Sequence, residues 1–361
     1  MIYYIIFLLL YPLLFILSFF RKKTNQNLII QTAKIGDYVN TSVMFEPLEK
    51  LDVVIDKINT PFSQHDSRIN QIFIINDYKS TLFTKLQLAF IIFTTNYKNV
   101  YIMMPNSYNL FLGQMSFSHN KVTLSTYSDK WYNKLFSFGI KKIKHTKEDL
   151  TIKSYLTMIS SDLEPDICWK KIQEPLYIPK QSILNQNSHF KIGISLTAGN
   201  KLKTIDLDTW LKIFKLLDNF DCEVYIFGLA KEVDILKNLQ FNLNLHKVQI
   251  ISLLGKINLD ELPYYTSKMN LYISSDTGNS YIADSFKIPL INFAGPCYMK
   301  EQRPIGNNVL IINSNADCVP FSFIFKAPYN TNCKNLYKIT TEQEKIILNF
   351  TTSVYNNYIQ H

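Results

Sequence analysis

The chain has 361 residues, 47% of them apolar, enough for two domains with separate cores. Its formal charge of +9 is carried almost wholly by Lys, because Arg occurs only at Arg21, Arg68 and Arg303. No zinc-finger spacing, RNP-type aromatic motif or Arg-rich stripe accompanies that charge, which argues against nucleic-acid binding and for a Lys-rich solvated surface that also suits an anionic membrane.

The first element is apolar. Met1 to Phe20 contains no charged side chain, and Arg21, Lys22 and Lys23 follow at once. About 20 apolar residues can cross a bilayer as a helix. The start is not basic and no small-residue cleavage site follows, so residues 1–23 read as a retained transmembrane anchor. The positive-inside bias then places the rest of the chain in the cytoplasm. Pro12 in mid-segment keeps a surface-lying helix as the alternative. Five scattered cysteines (Cys168, Cys222, Cys297, Cys318, Cys333) with no CxxC spacing fit a reducing compartment and no disulfide framework.

Strands are expected at 28–31, 51–55, 71–75 and 99–103, with helices at 38–50 and 80–95 and a mainly helical stretch at 127–160. Residues 162–189 carry Pro165, Pro175 and Pro179 with little periodicity and read as an interdomain linker. The second half alternates regularly, with strands at 191–196, 223–227, 248–252, 271–274 and 289–293 and helices at 206–217, 231–239, 259–267 and 280–286. Such alternation predicts an α/β fold with parallel sheets covered on both faces. A final helix near 342–358 is introduced by a Thr341-x-x-Glu344 capping box.

Only ten glycines occur, most of them in or just after strands, on the edge where open α/β sheets bind ligands. There is neither a GxGxxG nor a Walker loop, which argues against dinucleotide enzymes and P-loop NTPases. Four constellations carry possible chemistry. Gly36-Asp37 follows the first strand, with Asp37 either a helix N-cap or a general base. Asp276-Thr277-Gly278-Asn279-Ser280 follows the strand at 271–274 and offers a helix N-terminus for a phosphate. Gly199-Asn200-Lys201-Leu202-Lys203 supplies cations for a diphosphate. Arg303, in a Gly- and Pro-rich loop, is either an anion ligand or half of a salt bridge. Asp206-Leu207-Asp208 spells a DxD but opens an amphipathic helix, so it reads as a helix start rather than a metal site.

In order along residues 27–312, these segments resemble glycosyltransferase family 9, the heptosyltransferases of lipopolysaccharide core assembly. The similar stretches are Ile35-Gly36-Asp37, Gly199 through Lys203, Gly228 with Glu232, Gly255-Lys256-Ile257-Asn258-Leu259, Asp276 through Ala283, and Gly295-Pro296 with Pro304-Ile305-Gly306. The resemblance implies a GT-B fold, two Rossmann-like domains facing a cleft, here preceded by the N-terminal transmembrane helix. It divides the chain into an acceptor domain at 24–161, the linker at 162–189, a nucleotide-sugar domain at 190–335 and a C-terminal helix at 336–361.

It further implies inverting, metal-independent transfer from a nucleotide-sugar, with an ADP-sugar favoured, to a lipid-linked saccharide at the bacterial inner membrane. Asp37 would be the base, and Lys203 would stabilise the leaving diphosphate. Glu232 would hold the ribose, with Gly199, Asn200, Ile257, Asp276, Thr277, Gly278, Asn279, Ser280 and Tyr281 around the donor. Tyr281 stands where the family usually has His. The acceptor would meet residues 78–80 and 106–113. A non-catalytic, membrane-tethered descendant is the alternative.

Overall fold

The structure is a computed structural model that describes residues 2–185 and 189–360. Met1, residues 186–188 of the expected linker and His361 lie outside the described residues. The chain divides into two compact units, Met1–Pro175 and Leu176–His361.

The first unit holds β1 Asn27–Gln31, β2 Leu51–Ile55, β3 Ile69–Ile74, β4 Asn99–Ile102, β5 Asn120–Ser125 and β6 Lys141–Lys144. They form one parallel sheet in the order β3-β2-β1-β4-β5-β6. The central strand β1 is buried along its whole length, as an apolar run covered by helices on both faces must be. Leu28 and Ile30 pack in the same core as Leu88 and Ile92 of helix Leu82–Thr95 and Leu110 and Met115 of helix Ser107–Met115.

The second unit repeats the plan with β7 Phe190–Ser195, β8 Cys222–Phe227, β9 Val248–Ser252, β10 Leu271–Ser275, β11 Leu290–Phe293 and β12 Val309–Ile312. Its parallel order is β12-β11-β10-β7-β8-β9. In each sheet the chain builds outward from a central strand, then returns to build the other side. The reversal points, β1/β4 and β7/β10, are where such sheets open a crevice at the strand carboxyl ends. Two parallel six-stranded α/β sheets of this kind are consistent with a GT-B fold.

The helical stretch expected at 127–160 is corrected. It contains strand β6 between two short helices, Trp131–Phe136 and Thr151–Thr157. β6 reads Lys-Lys-Ile-Lys and has no fully buried residue, because it is a sheet edge, so its sequence lacks the apolar run of a central strand. The final helix spans Thr341–Ile359 and is capped one residue earlier than expected, by Thr340 accepting from Gln343 N. Cys318 and Cys333 form a disulfide, contrary to the expectation of none; their 15-residue separation is closed by a loop fold that the spacing does not advertise. Cys168, Cys222 and Cys297 are free thiols.

The transmembrane anchor is also corrected. The N-terminal helix, Ile2–Ser18, has 17 residues and is about 25 Å long, short of the roughly 30 Å hydrocarbon core. Among the described residues, no helix is long and apolar enough to cross a membrane. Phe7 and Leu14 are instead buried in the core of the first unit. Past the helix, Arg21 donates to the carbonyls of Phe93, Ser116 and Phe117, with its guanidinium 4.3 Å over the Phe93 ring.

Candidate active site

At the reversal point of the second sheet, β7 and β10 lie side by side, with Ile192 opposite Leu271. Each delivers a polar loop to the same edge. After β7, Asn200 Oδ1 accepts from Leu202 N at 3.0 Å and its amide donates to Pro328 O at 3.1 Å. This caps the 3-10 turn Lys201–Lys203 and aims Lys203. After β10, Asp276 is buried and accepts from Lys203 Nζ at 2.6 Å and from Tyr281 Oη at 2.5 Å, one donor on each carboxylate oxygen.

The electrostatics follow from that pairing. Burial works against both charges, but each partner outweighs it. Lys203, helped by hydrogen bonds from Tyr281 and Cys297, holds the Asp276 carboxyl below its usual range, and Asp276 raises Lys203 above the usual lysine value. Burial, and then the nearby Asp276, push the Cys297 thiol up to about 12, so it stays protonated and serves as a hydrogen-bonding wall.

Helix Gly278–Ser285 begins at this point, its first N–H groups lacking intrahelical acceptors and its dipole favouring an anion. Ser280 Oγ accepts from Thr277 N and donates to Thr277 O, so it serves the cap. Thr277 Oγ1 is buried without a hydrogen-bond partner among the described residues. A buried orphan hydroxyl costs stability unless something meets it, and an anionic ligand at this helix end would. Asn279 instead reaches back to Ser195 Oγ at 2.7 Å, which is bonded to Tyr272 Oη; it ties β7 to the helix.

The remaining residues expected around a donor lie on the same edge. Glu232 is buried and accepts from Leu229 N. A Cβ on Gly228 would come 2.3 Å from Glu232 Oε2, which explains why a glycine precedes this glutamate. Ile257 is half-buried in the turn after β9, where Gly255 N donates to Gly228 O and joins the two loops. Gly199 is exposed in the loop before Lys203. Arg303 is not delivered to the Lys203–Asp276 pair; its Nη1 donates to the carbonyls of Met299 and Lys300 and staples its own loop. Asp206 is a helix cap accepting from Thr209 N at 2.8 Å, as its place in the sequence suggests.

Tyr337 escaped the sequence reading. Its hydroxyl donates to Leu202 O, and a Cβ on Gly295 would sit 2.2 Å from that hydroxyl. Tyr337 therefore supports both the Lys203 turn and the Gly295-Pro296 loop from below. A lone Tyr in a weakly patterned segment carries no signal for this.

In the first unit, Gly36 and Asp37 lie in the first turn of helix Ile35–Thr41, directly after β1. Lys34 occupies the N-cap, so Asp37 is not the capping residue. Its carbonyl accepts from Thr41 Oγ1, which accepts in turn from Gln31. Across the reversal point, Asn109 donates to Thr32 Oγ1 and Met104 O, locking the loops after β1 and β4 together. Of the acceptor contacts expected at 106–113, residues 108–113 are buried within helix Ser107–Met115, and Asn106 is exposed and caps that helix by accepting from Tyr108 N and Asn109 N. Residues 78–80 are at least partly exposed.

The sequence profile described as "Glycosyltransferase family 9 (heptosyltransferase)" matches residues 128–322, more than half of the chain. The chain belongs to glycosyltransferase family 9. It is thus a glycosyltransferase of heptosyltransferase kind. The sequence matches none of the curated proteins compared with it.

Solved structures give the same fold at low identity. The ADP-heptose lipopolysaccharide heptosyltransferase II of E. coli aligns with a TM-score of 0.63 at 14% identity, covering 92% of this chain and 99% of that one. A family 9 glycosyltransferase from Veillonella parvula gives 0.67 at 14% identity, covering 93% and 99%. E. coli heptosyltransferase WaaC with ADP gives 0.64 at 14% identity, covering 91% and 99%. The family 9 match spans β6 to β12 and thus includes both Lys203 and Asp276.

Proposed function

We propose that this family 9 glycosyltransferase moves a heptose or closely related sugar from an ADP-sugar to a hydroxyl of a lipid-linked saccharide such as lipopolysaccharide core, at the cytoplasmic face of the bacterial inner membrane. The observation that carries the reading is the Lys203–Asp276 pair at the head of helix Gly278–Ser285, beside the orphan Thr277 hydroxyl. A cation, a helix N-terminus and a free hydroxyl together suit a diphosphate.

Asp37 takes the proton of the acceptor hydroxyl, whose oxygen attacks the anomeric carbon from the face opposite the nucleotide. The bond from that carbon to the diphosphate oxygen breaks with inversion, and ADP leaves with its new charge met by Lys203 and the helix N–H groups. Glu232 holds the ribose. No step needs a metal. The structure of E. coli WaaC with ADP, and the naming of E. coli heptosyltransferase II for ADP-heptose, favour this donor.

The test is a calorimetric titration of the chain with ADP, UDP, GDP and CMP, followed by transfer assays. Selective ADP binding that is lost in Asp276→Ala supports the donor site. Binding of ADP with no loss of turnover in Asp37→Ala would overturn the assigned base.

A further inference from the structure

We infer that the N-terminal helix is an in-plane docking element for an anionic lipid surface. This deepens the membrane location proposed above and is tested without sugar transfer, so the two can fail separately. Helix Ile2–Ser18 is apolar on both sides. One stripe, Tyr3, Phe7, Leu10 and Leu14, packs on the first unit. The Tyr3 ring lies 5.3 Å from Phe111, tilted by 32°, and Phe7 lies 5.9 Å from Phe136 and 6.0 Å from Phe138. The opposite stripe, Ile2, Ile5, Leu9, Leu13 and Ile16, is exposed, Leu9 by 76%. A helix that is apolar all round belongs in a core or in a membrane, and only half of this one has a protein core.

The flanks identify the partner. Helix Trp131–Phe136 packs against the N-terminal helix through Phe136 and leaves Trp131 67% exposed between Lys130 and Lys134. Lys22 and Lys23 are exposed at the other end. No acidic residue occurs between positions 1 and 36 or between 130 and 147. An apolar strip bordered by Trp and Lys fits the boundary between acyl chains and anionic headgroups. A second copy of the chain would bring like charges together, which disfavours self-pairing. Because the inner stripe and Arg21 are fixed to the protein, lipid cannot surround the helix, so it lies in the plane instead of crossing.

The full chain is floated with sealed vesicles of phosphatidylglycerol and phosphatidylethanolamine, and separately of phosphatidylcholine. Binding is expected to the anionic vesicles, weakened by high salt and by Lys22→Glu with Lys23→Glu. Leu9→Asp with Ile16→Asp should weaken it roughly tenfold or more, since carboxylates on a lipid-facing stripe are strongly disfavoured. Both positions are exposed, so melting and transfer to a soluble acceptor stay unchanged. With Trp131→Phe as background, a Leu9→Trp probe should be quenched by lipids brominated near the headgroup. Quenching strongest at the bilayer centre, vesicle binding unaltered by the Asp pair, or a dimer that the Asp pair dissociates without any vesicle binding would each overturn the inference.

Discussion

Lys203 Nζ lies 2.6 Å from Asp276 Oδ2 although 73 positions separate the two residues in sequence. The contact exists because β7 and β10 are parallel, hydrogen-bonded neighbours, after which the chain turns to opposite sides of the sheet, toward β8 and β11. Neither loop alone makes a site; the sheet order does. A leaving diphosphate and the Asp276 carboxylate would share one ammonium. Lys203→Met should therefore lower turnover by about 10²-fold, the scale of losing one preorganised charge donor. It should also cost roughly 3 kcal/mol of stability by leaving Asp276 buried without its cation. Single-turnover rates and urea melts measure the two losses separately, and turnover within about twofold of the parent would remove Lys203 from the reaction.

Tyr281 holds the other oxygen of that carboxylate at 2.5 Å. It stands where the family resemblance of the sequence leads one to expect His. Tyr281→Phe should cost about 1–3 kcal/mol, because Asp276 loses a buried donor. Tyr281→His should instead bring in a group titrating near pH 6.5, held charged by Asp276. ADP affinity should then rise as pH falls through that range, whereas the parent should show no such step. Parallel titrations across that pH range decide it, and identical profiles for the two proteins would show that residue 281 does not reach the nucleotide's field.

Much of this was legible in the sequence for a physical reason. Central strands such as β7 and β10 are buried on both faces and appear as apolar runs, so the loops that carry Lys203 and Asp276 could be placed, while the choice of Lys203 over Lys201 came from the family resemblance. The edges were not legible. β5, β6 and β12 are outer or near-outer strands with polar or short sequences, and two of the three have no more than one buried residue. Arg303 was singled out for its rarity, yet rarity does not say where a side chain points, and it points to its own loop. The apolar first 20 residues gave hydrophobicity correctly but not the burial of Phe7 and Leu14 in the first unit, since composition does not distinguish a helix wrapped in lipid from one with half its surface on a protein.

Gly295 has φ +51°, and its missing Cβ leaves room for the Tyr337 hydroxyl. Gly295→Ala should destabilise by more than about 1 kcal/mol, from the left-handed backbone and the clash together. Gly295→Ala with Tyr337→Ala should cost less than the sum of the single changes, because removing the ring removes the clash. Thermal melts of the three variants form the cycle. Strict additivity would mean that Tyr337 does not support the Gly295 loop.

Asp218 closes helix Leu207–Leu217 and accepts from three consecutive N–H groups, His246 at 2.9 Å, Lys247 at 2.8 Å and Val248 at 3.2 Å. It joins the end of a helix to the start of β9. Slight burial opposes its charge, but the backbone donors win and hold its carboxyl below the ordinary aspartate value. A carboxyl with a depressed folded pKa contributes stability that is present above its unfolded value, about 3.9, and is lost as pH falls through the folded one. Asp218→Asn should therefore lower the melting temperature near neutral pH, by the equivalent of about 1 kcal/mol for weakened N–H acceptors. It should change little at pH 2–3, where the parent's carboxylate is itself becoming protonated. Melting curves of both proteins should converge as pH falls below about 4; a constant gap down to the lowest pH would mean that the contribution comes from shape rather than charge.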